Sequence, residues 1–258
     1  MAGIENSILD SASEISSAFR RIQEWVQRIT SGQRIASAKD DPAGLGIREE
    51  LRASIAEIRQ GSNNLTDGLS IVQTADSAAS QIHTNLVRMK ELATQASTGT
   101  FSVEQKQIMQ NEFNHLASEN EQIVRDATFN GIPILSNQNI GIHYGKNESI
   151  MIPTQPIDSV QGDLLSESIR TSEMIETAIQ KISSYRGSLG STGHRFEKAA
   201  EVKDMEAENL IQAESRISDL DMAQAAASKL SQDIITQSAL ASQVHADSFA
   251  EVILKILG

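Results

Sequence analysis

Cysteine is absent from this chain. That removes disulfides, thiolate metal sites and cysteine nucleophiles together. Aromatic residues make up only 3% of it, with a single tryptophan, Trp25. A compact globule of 258 residues ordinarily anchors its core on more aromatic area. A surplus of basic charge is missing too: Lys and Arg number 22 against 34 Asp and Glu, for a net charge of −12. No Lys/Arg-rich block interrupts that balance, which speaks against nucleic acid or an anionic membrane as a partner. No window approaches the 18 or so consecutive apolar residues of a membrane span. Met1 to Asp10 lacks a basic segment followed by a long apolar run, so no cleaved secretory signal is expected. The histidines His83, His115, His143, His194 and His245 form no H-x-x-x-H or H-E-x-x-H pair. "GSLG" at 187–190 is not a G-x-S-x-G elbow. With no metal-ligand set, nucleophile motif or cofactor fingerprint, the chain reads as a non-enzyme without a cofactor.

Ala, Ile, Leu, Ser, Gln and Glu dominate instead, a mix that favours long thin helices packed side by side. Ile8, Ala12, Ile15, Phe19, Ile22, Val26 and Ile29 recur at alternating steps of four and three, a heptad stripe closed by Gly32. The far end repeats the pattern through Leu220, Ala223, Ala227, Leu230, Ile234, Gln237, Ala241, Val244 and Ser248. Small residues in that stripe let a partner backbone come close. Val252, Ile253, Ile256 and Leu257 form an apolar tip. Matching periodicity predicts that the first and last helices pair.

Between them, Asp41 caps a helix with Pro42 in its first turn. Gly61 and "SNNLTDG" at 62–68 weaken the helical pattern, and a long stripe resumes from Leu65 to Ala96. Ser102 with Gln105 is a capping box opening a further helix that ends near "ATFNG", 127–131. Ile140, Ile142 and Tyr144 alternate before "GKNE", and Ile150 and Ile152 alternate after it, which predicts a β-hairpin. A last long helix begins near Ser166–Ser168, with glycines at 187, 190 and 193 weakening it locally. The expected fold is mainly α: a long coiled-coil helical hairpin rod with a small β-hairpin region and paired terminal helices.

One stretch interrupts this plan. "SGQRIASAKDDPAGLGIREE", 31–50, is rich in glycine and charge between two amphipathic helices. A dinucleotide loop needs a third glycine and a preceding strand, and Asp40 and Asp41 repel phosphate. The simpler reading is a joint. "SGQRIASAKDDPAGLGI" resembles the L-S-S-G-x-R-I-x-x-A-x-D-D-x-A-G-x-x-I block of bacterial flagellins. "NLTDGLSIVQTADSAASQI" (64–82), "ATFNGIPIL", "RGSLGSTGHRF" (186–196) and "SRISDLDMA" (215–223) are similar to further segments of that family. His194 stands where the family usually has Asn, and the large central variable domains are missing. The hook–filament junction protein shares the end segments and is the close alternative. A non-flagellar helical coiled-coil scaffold would show the heptads without the joint or the "ATFNG" hairpin.

The resemblance implies a domain plan: 1–30 and 224–258 as an inner coiled coil, 31–44 and 213–223 as a spoke, and 45–212 as an outer helical rod with hairpins near 128–153. It implies a structural subunit that self-assembles into the extracellular flagellar filament for motility. Ile15, Phe19, Ile22, Val26, Ile29, Leu230, Ile234, Ala241 and Val244 would pack subunits, and Gly32, Arg34, Asp40, Asp41 and Gly44 would form the spoke. Arg88, Leu92 and Glu112 match the face that contacts the flagellin-sensing Toll-like receptor, although Val87 replaces the usual Gln. Hook-associated and cap proteins, a secretion chaperone and export through the flagellar channel belong to the same implication. Physics supports the assembly reading independently. Ordering a residue costs roughly 1–2 kcal/mol, while Ala- and Ser-rich stripes bury little area within one chain, at about 25 cal/mol per Å². Both ends are therefore expected to be largely disordered in the lone chain and to order when other copies supply the missing faces.

Overall fold

The structure is a computed structural model that describes residues 2–136, 139–157 and 159–257; for 2–12, 246–247 and 249–257 it describes the backbone alone. The described residues form α1 (Ala2–Ser31), α2 (Pro42–Ala96), α3 (Val103–Asp126), β1 (Thr128–Phe129), β2 (Ile132–Pro133), β3 (Ile140–Gly145), β4 (Glu148–Ile152), α4 (Ser168–Ser218) and α5 (Met222–Leu257). By internal contacts they divide into two compact units, residues 56–208 and residues 1–55 with 209–258.

Local chemistry sets most element ends. α1 stops where Gly32 takes φ +68°, the left-handed conformation that a side chain penalises. At the start of α2 the Gly44 N–H donates to Asp41 Oδ1 at 2.9 Å, with Pro42 as first helical residue. The capping box opens α3: Gln105 N–H donates to Ser102 Oγ at 3.3 Å and Ser102 N–H to Gln105 Oε1 at 2.9 Å. β1 and β2 pair antiparallel through Asn130–Gly131, both with positive φ (49° and 78°), the signature of a primed two-residue turn. β3 and β4 pair with Ile140 opposite Ile152 and Ile142 opposite Ile150.

In the 56–208 unit the core runs along α2 through Leu65, Val72, Ala75, Ala79, Ile82, Leu86, Met89, Ala93 and Ala96. Facing it are Ile175, Ile182, Tyr185, Leu189 and Phe196 of α4 and Met109 and Phe113 of α3. Arg186 bridges to Asp76 Oδ1 at 2.8 Å across the α2–α4 seam, and Lys90 pairs with Glu176. Gln110 clasps the loop before α4, donating to the Gly162 carbonyl and accepting from the Leu164 N–H.

The expected weakening of α2 at 62–68 is absent: the helix is continuous. Its glycines there serve close approach. A Cβ on Gly61 would sit 2.2 Å from the Tyr144 carbonyl oxygen, and one on Gly68 2.6 Å from Phe196 Cε1. The β3–β4 hairpin thus lies directly on α2, held also by Asn64 Nδ2 donating to the His143 carbonyl at 2.8 Å. Lys203 of α4 reaches Glu148 at 2.9 Å and lies over the Tyr144 ring at 5.9 Å. The glycines of α4 likewise leave that helix unbroken.

Candidate assembly surface

The unit of residues 1–55 and 209–258 holds the joint and the terminal helices. Its centre is the 31–48 stretch. Arg34 N–H donates to the Ser218 carbonyl at 2.7 Å, Leu220 N–H to the Gly32 carbonyl at 3.0 Å, and the Arg34 guanidinium to the Ile217 carbonyl at 2.8 Å. Gln33 and Asp219 form an antiparallel bridge. The chain leaving α1 is thereby tied to the chain entering α5, so the two helices run antiparallel and pack against each other.

Each residue predicted for the spoke has a defined place. Asp40 accepts from the Ala36 and Ser37 N–H groups, the Ser37 hydroxyl and Arg28, the last at 2.8 Å. The hydrogen bond from Arg28 is the main reason its carboxyl is held below the usual carboxylate range. Gly44 is buried, and a Cβ there would lie 2.4 Å from Asp41 Oδ2 and 2.7 Å from Ile35 Cδ1. Three members escaped the sequence reading. Ile35 is fully enclosed. Arg48 is buried and donates to the Ile35 carbonyl at 2.7 Å and to Gln33 Oε1 at 3.1 Å. Arg28 lies 5.3 Å from the centre of the Trp25 ring. Nothing in the heptad pattern marks Arg48; only the folded loop reveals that its guanidinium fills the joint.

The terminal helices require a correction. The apolar stripe on α5 is not the seam with α1. Leu230, Ile234 and Val244 are 61%, 59% and 63% exposed, and Ala223, Ala227, Gln237 and Ala241 are exposed with them. The side turned toward the rest of the unit carries Ala225 and Thr236, both buried, with Ser228, Lys229, Gln232, Ala239 and Gln243 half-buried. On α1 the inward row is Ile15, Ala18, Ile22, Trp25 and Ile29, a heptad of its own, while Phe19 is 50% exposed and Val26 also faces outward. The physical reason is close packing at the two fully buried α5 positions: Ala225 and Thr236 are small enough to admit the bulkier Ile and Trp of α1, where large aliphatics would hold the helices apart. The 15–18–22–25–29 spacing was present in the sequence; choosing Phe19 and Val26 over Ala18 and Trp25 followed hydrophobicity alone. Ile8, Ala12, Ser248 and the tip Val252, Ile253, Ile256 and Leu257 extend these stripes in sequence; Ser248 is exposed, and Ile8, Ala12 and the tip lie outside the residues whose side chains are described.

The unit thus leaves large apolar groups exposed on both terminal helices: Leu230, Ile234 and Val244 on one face of α5, Ile235 and Leu240 to either side of it, and Phe19 and Val26 on α1. An exposed apolar helix face of this kind marks an interaction face.

The residues matched to a receptor face lie in the other unit and are not equivalent. Arg88 Nε donates to Glu112 Oε1 at 2.8 Å, and Arg88 also pairs with Glu91. Both Arg88 and Glu112 reach solvent. Leu92 does not: it is 2% exposed and belongs to the core. A docking partner cannot touch it, so Leu92 is withdrawn as a contact.

Comparison with known proteins places these features. A family model described as the bacterial flagellin N-terminal helical region matches residues 6–140, and one described as the C-terminal helical region matches residues 172–257. A flagellin of Halalkalibacterium halodurans is 33% identical over 249 residues, covering 91% of each chain. A 30.7 kDa flagellar filament core protein of Treponema maltophilum is 30% identical over 263 residues, covering 92% of each. Among solved structures, Bacillus cereus flagellin aligns with a TM-score of 0.52 at 25% identity, over 54% of this chain and 88% of that one.

Proposed function

The chain belongs to the bacterial flagellin family, and we propose that it builds the flagellar filament through the outward apolar faces of α1 and α5. It is a structural subunit that polymerises with copies of itself, and its place is the extracellular filament. Its role is structural rather than catalytic. The observation that carries the proposed route is the exposure of Leu230, Ile234 and Val244 on α5 and of Phe19 and Val26 on α1. A face that meets a different face on the next copy generates an open helical polymer.

In this reading residues 1–30 and 224–258 form the inner layer of the filament, 31–44 and 213–223 the spoke, and 45–212 the outer layer. Gly32, Arg34, Asp40, Asp41 and Gly44 fix the spoke. Ala241 joins the outward row, while Ile15, Ile22 and Ile29 hold α1 to α5 and act on assembly through that pair. Isolated helices gain little from propensity alone, so the terminal helices are proposed to be only transiently formed in the lone chain and to gain order as other copies cover them. The test is seeded growth. Purified subunit mixed with filament fragments should lengthen them in electron micrographs, and the amides of 13–31 and 222–245 should pass from rapid exchange in the monomer to strong protection in the filament. A subunit that stays a single, fully protected particle at every concentration overturns both statements.

Further partners rest on the family alone: hook-associated and cap proteins at the filament ends, a secretion chaperone, and unfolded export through the flagellar channel. For the flagellin-sensing Toll-like receptor, Arg88 and Glu112 are the contacts retained. Arg88→Ala is expected to lower signalling in a reporter-cell assay about tenfold, the scale of one charged interface contact. Equal signalling by both proteins removes the assignment.

A further inference from the structure

The 56–208 unit holds a partly open cavity of about 300 Å³ that filament assembly does not explain. It lies between α2, α3, α4 and the loop preceding α4, and its wall is mostly apolar, with Ile82, Leu86, Ile157, Val160 and Ile182. Tyr185 of α4 also lines it. That residue is 2% exposed, and its hydroxyl is buried without any hydrogen-bond partner. A buried polar group ordinarily finds one, because leaving it unpaired is costly. The other buried polar residue of the wall, Asn120, is already engaged: its Oδ1 accepts from Asn85 Nδ2 at 2.9 Å and its Nδ2 lies 3.7 Å from Met89 Sδ.

Water fits this site poorly. A well-held water makes two to four hydrogen bonds; among the described residues the buried part of the wall has one open polar atom to give, and the further polar lining residues Ser159, Thr177 and Lys181 lie on its exposed side with Gln155 half-buried. An apolar cavity of about 150 Å³ is enough to hold benzene, so this one takes an apolar body with a further polar group. Burial raises the Tyr185 pKa to about 12, which keeps the hydroxyl a neutral donor throughout the physiological range.

We propose that this cavity is a binding site for a small, neutral, largely apolar molecule with one hydrogen-bond acceptor, which receives the Tyr185 hydroxyl proton while its body packs on Ile82, Leu86, Val160 and Ile182. The inference goes beyond filament building and is independent of it.

The experiment is a titration of the full-length chain with 4-fluoroacetophenone and with 1-ethyl-4-fluorobenzene, which matches it in shape but has no acceptor, followed by fluorine NMR. The ketone is expected to bind about tenfold more tightly than the hydrocarbon, as one satisfied buried donor predicts. In Tyr185→Phe that preference should vanish while the hydrocarbon still binds. Ala178→Met, which places extra volume in the wall, should abolish binding of both with helix content unchanged by circular dichroism. Three results overturn the proposal: neither compound binds the unaltered chain up to its solubility, the ketone preference survives Tyr185→Phe, or both compounds still bind Ala178→Met. The first of these reads as a solvent-filled cavity, and the ratio in the unaltered chain decides the matter even if a variant fails to fold.

Discussion

Ile234→Asp is expected to yield a normally folded subunit that does not extend filament seeds. At 59% exposure the side chain lies outside the α1–α5 seam, so a carboxylate there keeps its hydration in the monomer. Covering it with another copy strips that hydration, and burying an unpaired charge costs several kcal/mol even after relaxation. Every added subunit carries the same charge, so the penalty recurs at each step of growth. Electron microscopy and sedimentation after seeding should show no elongation, with the melting curve and helix content of the monomer unchanged. Elongation at the unaltered rate would mean that Ile234 faces water in the filament and that the outward row is misassigned. Ile22→Asp supplies the contrast. Ile22 is half-buried on the inward row of α1, so this change strikes the α1–α5 pair itself, and any filament that still forms should show weaker exchange protection of 13–31 and 222–245 than the unaltered one. The two variants separate a defect in the surface from a defect in the element that presents it.

Gly44→Val is expected to have the second large effect, by breaking the joint from within. A Cβ at this position would lie 2.4 Å from Oδ2 of Asp41, whose other carboxylate oxygen caps α2, and 2.7 Å from the enclosed Ile35. The cap must be given up, at about 0.5–2 kcal/mol, and Ile35 must move in a closed space, at about 1–3 kcal/mol. The sum, about 1.5–5 kcal/mol, should appear as a lower unfolding midpoint in denaturant with little change in m-value. The bridge between Gln33 and Asp219 should lose exchange protection at the same time. A midpoint within experimental error of the unaltered chain would show that the joint yields freely.

Acid acts on the same place. Because the folded-state pKa of Asp40 is depressed, chiefly by the hydrogen bond from Arg28, its contribution is fully present above the pKa of an unfolded Asp, about 4. It fades as pH falls through the folded value. Asp40→Asn should therefore weaken the joint at neutral pH and flatten its stability profile below about pH 4; an unchanged acid limb would assign that limb to other carboxylates.

How far the sequence alone reached depends on the kind of interaction involved. The ends of the helices were legible because caps and turns are short-range: Asp41–Pro42, Ser102 with Gln105, Gly32 and Asn130–Gly131 each act on neighbours within a few residues. The long core stripes of α2 and α4 were legible because a helix repeats its inward face every three or four residues. Family membership followed from the joint segment, whose residue pattern is specific. What stayed hidden depended on atoms distant in the chain. Gly61 reads as a helix breaker until Tyr144 is seen against it. Arg48 reads as a surface charge until the carbonyl of Ile35 is seen waiting for it. Leu92 reads as one more position beside Arg88 until the core closes over it.

The sequence by itself determined that this chain is helical, where its helices begin and end, that its termini carry heptads and which family it joins. Only the tertiary structure decided which face of each terminal helix is inside. A heptad states that an apolar side exists, but packing volume selects the partner. Ala225 and Thr236, the buried positions of α5, are small and let α1 come close, and Leu230, Ile234 and Val244 were left facing outward for another copy of the chain.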